Sequence, residues 1–120
     1  MLNTTGKATF ITVTVTLDKN EVPIFDYSNE TGNVEVSGAS TITYILDDNT
    51  NKGLKFTSAA FNTPFDGIVD AVTVSSDGKI IQLMDLDKVV GKTTFQFILS
   101  NTDNTLMLIS KDPQVINIKV

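Results

Sequence analysis

The chain has 120 residues, 41% of them hydrophobic and 19% charged, with a formal charge of −5. Disorder requires low hydrophobicity and high charge, so this balance predicts a folded globule, one domain spanning residues 1–120. The sequence holds no Cys, His, Trp or Arg. Thiol and imidazole chemistry, disulfides, Cys-ligated zinc, a Ser–His–Asp triad and the guanidinium fork for phosphate are thereby excluded.

Nine Lys face fourteen acids, and the acids are spread along both halves of the chain. Nucleic-acid affinity comes largely from basic side chains that neutralise phosphates, so no nucleic acid is expected as a partner. The start, Met1-Leu2-Asn3-Thr4-Thr5-Gly6, has neither a basic nor an apolar leader region. No apolar run approaches the roughly 18 residues of a membrane helix. The expectation is a cytoplasmic protein with no membrane partner and no cofactor.

Thr, Val and Ile supply 40 of the 120 residues, and these β-branched types favour strands over helices. Period-two alternation places the strands. Residues 7–17 (KATFITVTVTL) set Ile11, Val13, Val15 and Leu17 on one face and Thr12, Thr14 and Thr16 on the other. Phe10 is out of phase, which predicts a bulge or bend near it. Residues 22–27 contain Pro23, which cannot donate to a ladder, so this strand belongs at an edge. Residues 33–37 follow, and 41–47 align Ile42, Tyr44 and Leu46. Segment 54–60 turns Leu54, Phe56 and Ser58 inward.

Segments 68–75 and 79–86 flank Ser76-Asp77-Gly78, the strongest hairpin signal in the chain. Residues 92–100 align Phe95, Phe97 and Leu99, and 105–111 follow a turn at 101–104. Residues 115–120 set Ile116, Ile118 and Val120 on one face. About nine strands separated by turn signals predict an all-β fold. The favoured form is an antiparallel two-sheet sandwich, Greek-key or immunoglobulin-like, ahead of a small barrel.

Three groups of residues carry possible chemistry. In Asp47-Asp48-Asn49-Thr50-Asn51-Lys52-Gly53 the side-chain oxygens of Asp47, Asn49 and Asn51 alternate as in a calcium loop. Lys52 stands where the sharp-turn Gly belongs and Ser58 where a bidentate Glu belongs, so a plain turn is the simpler account. Asp85 and Asp87 share a face, and Asp70 can meet them across the hairpin. Facing carboxylates can hold a hard cation or cleave a glycoside; three acids at strand ends facing water are the commoner arrangement. In Phe61-Asn62-Thr63-Pro64-Phe65-Asp66-Gly67, two Phe bracket a Pro where no strand can form. Phe61, Pro64 and Phe65 are an interaction surface if exposed and an end cap if buried. Tyr27, beside a polar loop, is the one surface platform for a sugar, because Tyr44 alternates with core residues.

The stretch Ser110-Lys111-Asp112-Pro113-Gln114-Val115-Ile116-Asn117, with its Asp-Pro step before a last apolar strand, resembles the DP-EP family of small bacterial proteins. The nearest approach to a Glu-Pro pair is Glu21-Val22-Pro23. The resemblance implies a β-sandwich of unknown function and says nothing about an activity. Physically, Pro113 fixes its own φ and extends its neighbour, which suits a chain crossing from one sheet to the other.

Three functions follow from these residues. The first is a non-catalytic protein working by contact with an unidentified protein partner or with its own copies through edge strands. The second is a ligand-binding module for carbohydrate or calcium, using Tyr27 or the 47–51 loop. The third is a carboxylate enzyme using Asp70, Asp85 and Asp87.

Overall fold

The structure, a computed structural model, describes residues 7–111 and 113–118. Ten strands run in order: β1 Lys7–Leu17, β2 Pro23–Tyr27, β3 Val34–Val36, β4 Ser40–Asp48, β5 Lys55–Phe61, β6 Ala71–Val74, β7 Ile80–Asp85, β8 Gly91–Ser100, β9 Met107–Ile109 and β10 Gln114–Asn117. No helix occurs among the described residues.

One sheet has the order β2-β1-β4-β7-β6, and the other β3-β10-β8-β5, with β9 also pairing β8. The expectation of purely antiparallel sheets is overturned. β1 runs parallel to β4, and β10 runs parallel to β3. Parallel neighbours need a long connection between them. Here the excursion through β2 and β3 supplies it, so β4 enters beside β1 in the same direction.

The alternation of β1 is realised: Ile11, Val13 and Val15 are buried and the intervening threonines are half-exposed. Phe10 points outward, 66% exposed, and the β1–β4 register runs unbroken past it. The predicted irregularity near Phe10 is therefore absent. The one register shift in the β5–β8 pairing lies between Phe56 and Ser58. It reverses the phase of β5, so Ala59 and Phe61 pack toward the core while Ser58, expected inward, is exposed.

The sheets meet through Tyr44 on one side and Phe95 and Phe97 on the other. The Tyr44 and Phe97 rings stand edge-on with centroids 4.7 Å apart. Each such ring, fully buried, stabilises the fold by roughly 1.5–3 kcal/mol. The Tyr44 hydroxyl donates to the Gly32 carbonyl at 2.8 Å, so its polar end is satisfied, and burial pushes its pKa up.

Pro23 sits on an edge strand, and Asp77-Gly78 turns β6 into β7, both as the sequence predicts. Gly78 has a φ of +71°, and a Cβ there would lie 2.5 Å from Lys55 Cβ. Only glycine serves both the turn and the close approach of β5, whose Phe56 N–H donates to the Gly78 carbonyl. The last strand departs from the reading. Pro113, Val115 and Asn117 face the interior, whereas Ile116 is half-buried and Ile118 exposed. Asp112 and Val120 lie outside the described residues.

Candidate functional site

β5 finishes at Phe61 and β7 finishes at Asp85, the end of β7 that lies away from Asp48 of β4. The connections that follow, residues 62–70 and 86–90, form an apolar tip. Phe65 is 98% exposed and Val90 62%, with Leu86 and Val89 less so. Exposure on that scale is unusual for Phe, which is generally a core residue.

Asp66 holds the first loop rigid. Its carboxylate accepts from the Thr63 hydroxyl at 2.8 Å and from the Ile68 N–H at 2.9 Å, and its own N–H donates to the Thr63 carbonyl. Burial alone would raise the Asp66 pKa, but hydrogen bonds from the Ile68 N–H and the Thr63 hydroxyl outweigh it and hold it below the ordinary value. The loop thus presents Phe65 from a pinned turn. Of the predicted interaction residues, Phe65 and Pro64 are exposed. Phe61 is half-buried, its ring 5.3 Å from Phe95, and it shares a shallow cavity of about 170 Å³ with Pro64, Asp70 and Val72.

Asp70 and Asp87 lie near enough for their charges to act on Asp85, while Asp70 and Asp85 both accept hydrogen bonds from the backbone. Asp70 accepts from the Leu86 N–H at 2.7 Å and pairs with Lys88 at 3.1 Å. The Leu86 hydrogen bond, with Lys88 behind it, lowers the Asp70 pKa. Asp85 is fully buried, and its Oδ1 accepts from the Asp87 N–H at 2.8 Å and from Asn117 Nδ2 at 3.2 Å. Burial, aided by the charges of Asp87 and Asp70, raises its pKa. The Asp85 carboxylate therefore faces the interior, not water.

At the opposite end, Asp48 accepts from the Thr50 N–H and hydroxyl and from the Leu54 N–H, closing the 48–54 loop on itself. Asp47 and Asn49 touch at 3.5 Å, and Asn51 sits at a left-handed φ of 63°. No three acidic side chains among the described residues cluster to hold a metal ion. The Tyr27 ring, proposed as a sugar platform, is packed against the core: it lies 6.4 Å from Phe97, and a Cβ on Gly32 would touch it at 2.9 Å.

A second apolar surface lies between the edge strands β2 and β9. Leu106, Met107 and Ile109 are 71%, 66% and 58% exposed. Beside them run two grooves of about 390 and 490 Å³, floored by Leu108 and Pro23. The hydrogen bonds from Asn101 N–H to Leu106 O and from Ser110 N–H to Phe97 O put the even residues of this segment in the ladder with β8. The backbone groups of Met107 and Ile109 then point to the open edge.

The family profile for DP-EP matches residues 9–119. The chain belongs to the DP-EP family. Among solved structures, this DP-EP chain is similar to the cysteine protease inhibitor EhICP2 of Entamoeba histolytica, at 18% identity and a TM-score of 0.45, over 92% of this chain and 96% of that one. It is also similar to the inclusion body protein PixA of Burkholderia cenocepacia, at 11% identity and a TM-score of 0.44, over 98% and 99% of the two chains. At these values the likeness is one of chain path only. No curated protein matches the chain. Among the described residues no helix is long and apolar enough to cross a membrane.

The reading of the residues missed Asp85 as an interior group, and with it Asn117. The signal was present: Asp85 continues the phase of Ile81 and Leu83 two residues apart. Asn117 likewise continues the phase of Val115.

Proposed function

We propose that this DP-EP protein is a non-catalytic β-sandwich that works by binding another protein through the tip at Phe65. The observation that carries this reading is a fully exposed Phe on a loop pinned by Asp66, with Val89 of the second loop beside Gly67 and Val90 also exposed. A rigid aromatic anchor loses little conformational entropy on docking, which is the property of interface hot spots. The carboxylates engaged by backbone N–H groups, and Asp85 withdrawn into the interior, support the absence of catalysis. We also place the protein in the cytoplasm as a single domain.

A photo-crosslinking amino acid at position 65, expressed in the source cells, tests the reading. A discrete adduct whose formation is lost on adding Val90→Ser supports it. No adduct, or a smear unaffected by Val90→Ser, overturns it.

The open edge at Met107 and Ile109 favours a second reading, self-association by strand addition. Sedimentation should then show an oligomer that Ile109→Lys dissociates and Phe65→Ser leaves intact; a monomer at every concentration sinks it.

A further inference from the structure

Asp85 at the end of β7 and Asn117 on β10 belong to different sheets, are 0% and 1% exposed, and meet in the interior at 3.2 Å. Both hydrogens of the Asn117 amide are engaged, one by Asp85 Oδ1 and one by the Val89 carbonyl at 2.8 Å. Asp85 Oδ1 accepts a second bond from the Asp87 N–H. Two buried acceptors of this contact then have no hydrogen-bond donor among the described residues: Asp85 Oδ2 and Asn117 Oδ1. A buried acceptor without a donor is costly, and two in one contact need an explanation.

A carboxylic acid and a primary amide are flat groups that pair through two parallel hydrogen bonds, N–H to carbonyl and O–H to amide oxygen. The structure shows the first of these bonds and leaves unmet the two atoms that would make the second. We propose that Asp85 and Asn117 form a proton-holding clasp, in which one proton on Asp85 Oδ2 is donated to Asn117 Oδ1, closes the acid–amide ring and ties the two sheets together. The proton comes from water and returns to it.

The surrounding charges agree. Asp70 and Asp87 approach from the two connections beside β7 and disfavour an ionised Asp85. Lys88, the cation of the same loop, is held by Asp70. On the β4 side Asp85 is paired with Ser40, and Lys7 on β1 donates to Ser37 at 2.7 Å. From β8, Thr93 presents an uncharged buried hydroxyl that has no hydrogen-bond partner among the described residues. Among the described residues no cation forms an ion pair with the Asp85 carboxylate.

The clasp also reaches the loop after β7. Asn117 holds the Val89 carbonyl, Asp85 holds the Asp87 N–H, and Asp70 holds the Leu86 N–H. Ionising Asp85 removes the O–H bond and leaves a charge in the interior, which loosens the 86–90 segment. Order at this loop then falls as pH rises through the Asp85 pKa. This inference is independent of what the tip binds.

The full chain, labelled with 13C at its carboxyl groups, gives the test by NMR. The Asp85 carboxyl should titrate above the ordinary value of about 3.9. Amide exchange at Val89 and Val90, corrected for its intrinsic pH dependence, should accelerate several-fold above that midpoint. Asp85→Asn supplies a permanent N–H donor in place of the proton. Its thermal midpoint relative to wild type should rise with pH, and the Val89 exchange should lose its pH dependence. An Asp85 midpoint at or below the ordinary value overturns the clasp, whether or not the Asn variant folds. An Asp85→Asn variant destabilised equally at every pH overturns it too.

Discussion

Asp48 and Asp85 end adjacent strands of one sheet, β4 and β7, at opposite ends because those strands are antiparallel. Each accepts the N–H of the residue two positions on, Thr50 in one case and Asp87 in the other. The local device is the same, yet the electrostatic outcome is opposite. Burial raises the Asp48 pKa, but bonds from the Thr50 hydroxyl and the Thr50 and Leu54 N–H groups, with Lys79 nearby, outweigh it and bring the pKa down. Asp85 has burial and two neighbouring carboxylates against fewer bonds, and its pKa goes up. What decides a strand-end aspartate's character is the number of donors its second oxygen finds. Asp48 Oδ2 has the Leu54 N–H, and Asp85 Oδ2 has no donor among the described residues.

The largest effect expected on breaking this contrast is at Asp48. Asp48→Ala strips three donors of their acceptor, one of them the N–H of the buried Leu54, and should cost about 2–3 kcal/mol in denaturant unfolding at neutral pH. A pKa lowered in the folded state stabilises above the ordinary carboxylate range and loses that contribution as pH falls through the lowered value. The penalty of the variant should therefore shrink in acid. Asn117→Leu removes the amide from the other end and should cost about 1–3 kcal/mol at pH near 7. Its pH dependence runs the other way in origin: a raised pKa makes the folded state gain stability as pH falls through that value, so wild type itself tightens in acid. The loss in Asn117→Leu should exceed that in Asp85→Asn at neutral pH, because only the first leaves a charge without its amide partner.

The smallest expected effect belongs to the surface. Phe65→Ser should change unfolding stability by less than about 0.5 kcal/mol, since the ring is solvated in the free protein. A large loss of stability would show that Phe65 packs at home rather than on a partner.

Much of the architecture was legible from period-two patterning, because a strand with one face in the core writes that face into every second residue. Ile11-Val13-Val15, Ile42-Tyr44-Leu46 and Phe95-Phe97-Leu99 all lie inward as read. The pairing directions were not legible, since alternation records which face is buried and nothing about the neighbour's direction. The β10 face was misread for a related reason. Ile116, Ile118 and Val120 look like a core face until Asn117 is recognised as interior, and that requires knowing that Asp85 lies opposite it. In the candidate site, Phe65 and Pro64 were legible as an unpaired apolar segment. The half-burial of Tyr27 was not, because it packs against Phe97, which is far from it in the sequence.

The parallel pairing of β10 with β3 carries a consequence for synthesis. The N–H of Gln114 donates to Asn33 Oδ1 across 81 positions, so the second layer stays unclosed until β10 has left the ribosome. Contacts of such separation slow the search for the native state toward milliseconds or longer. Until then Val34 and Val36 wait without a partner strand, a window in which a chaperone or a neighbouring nascent chain competes for them.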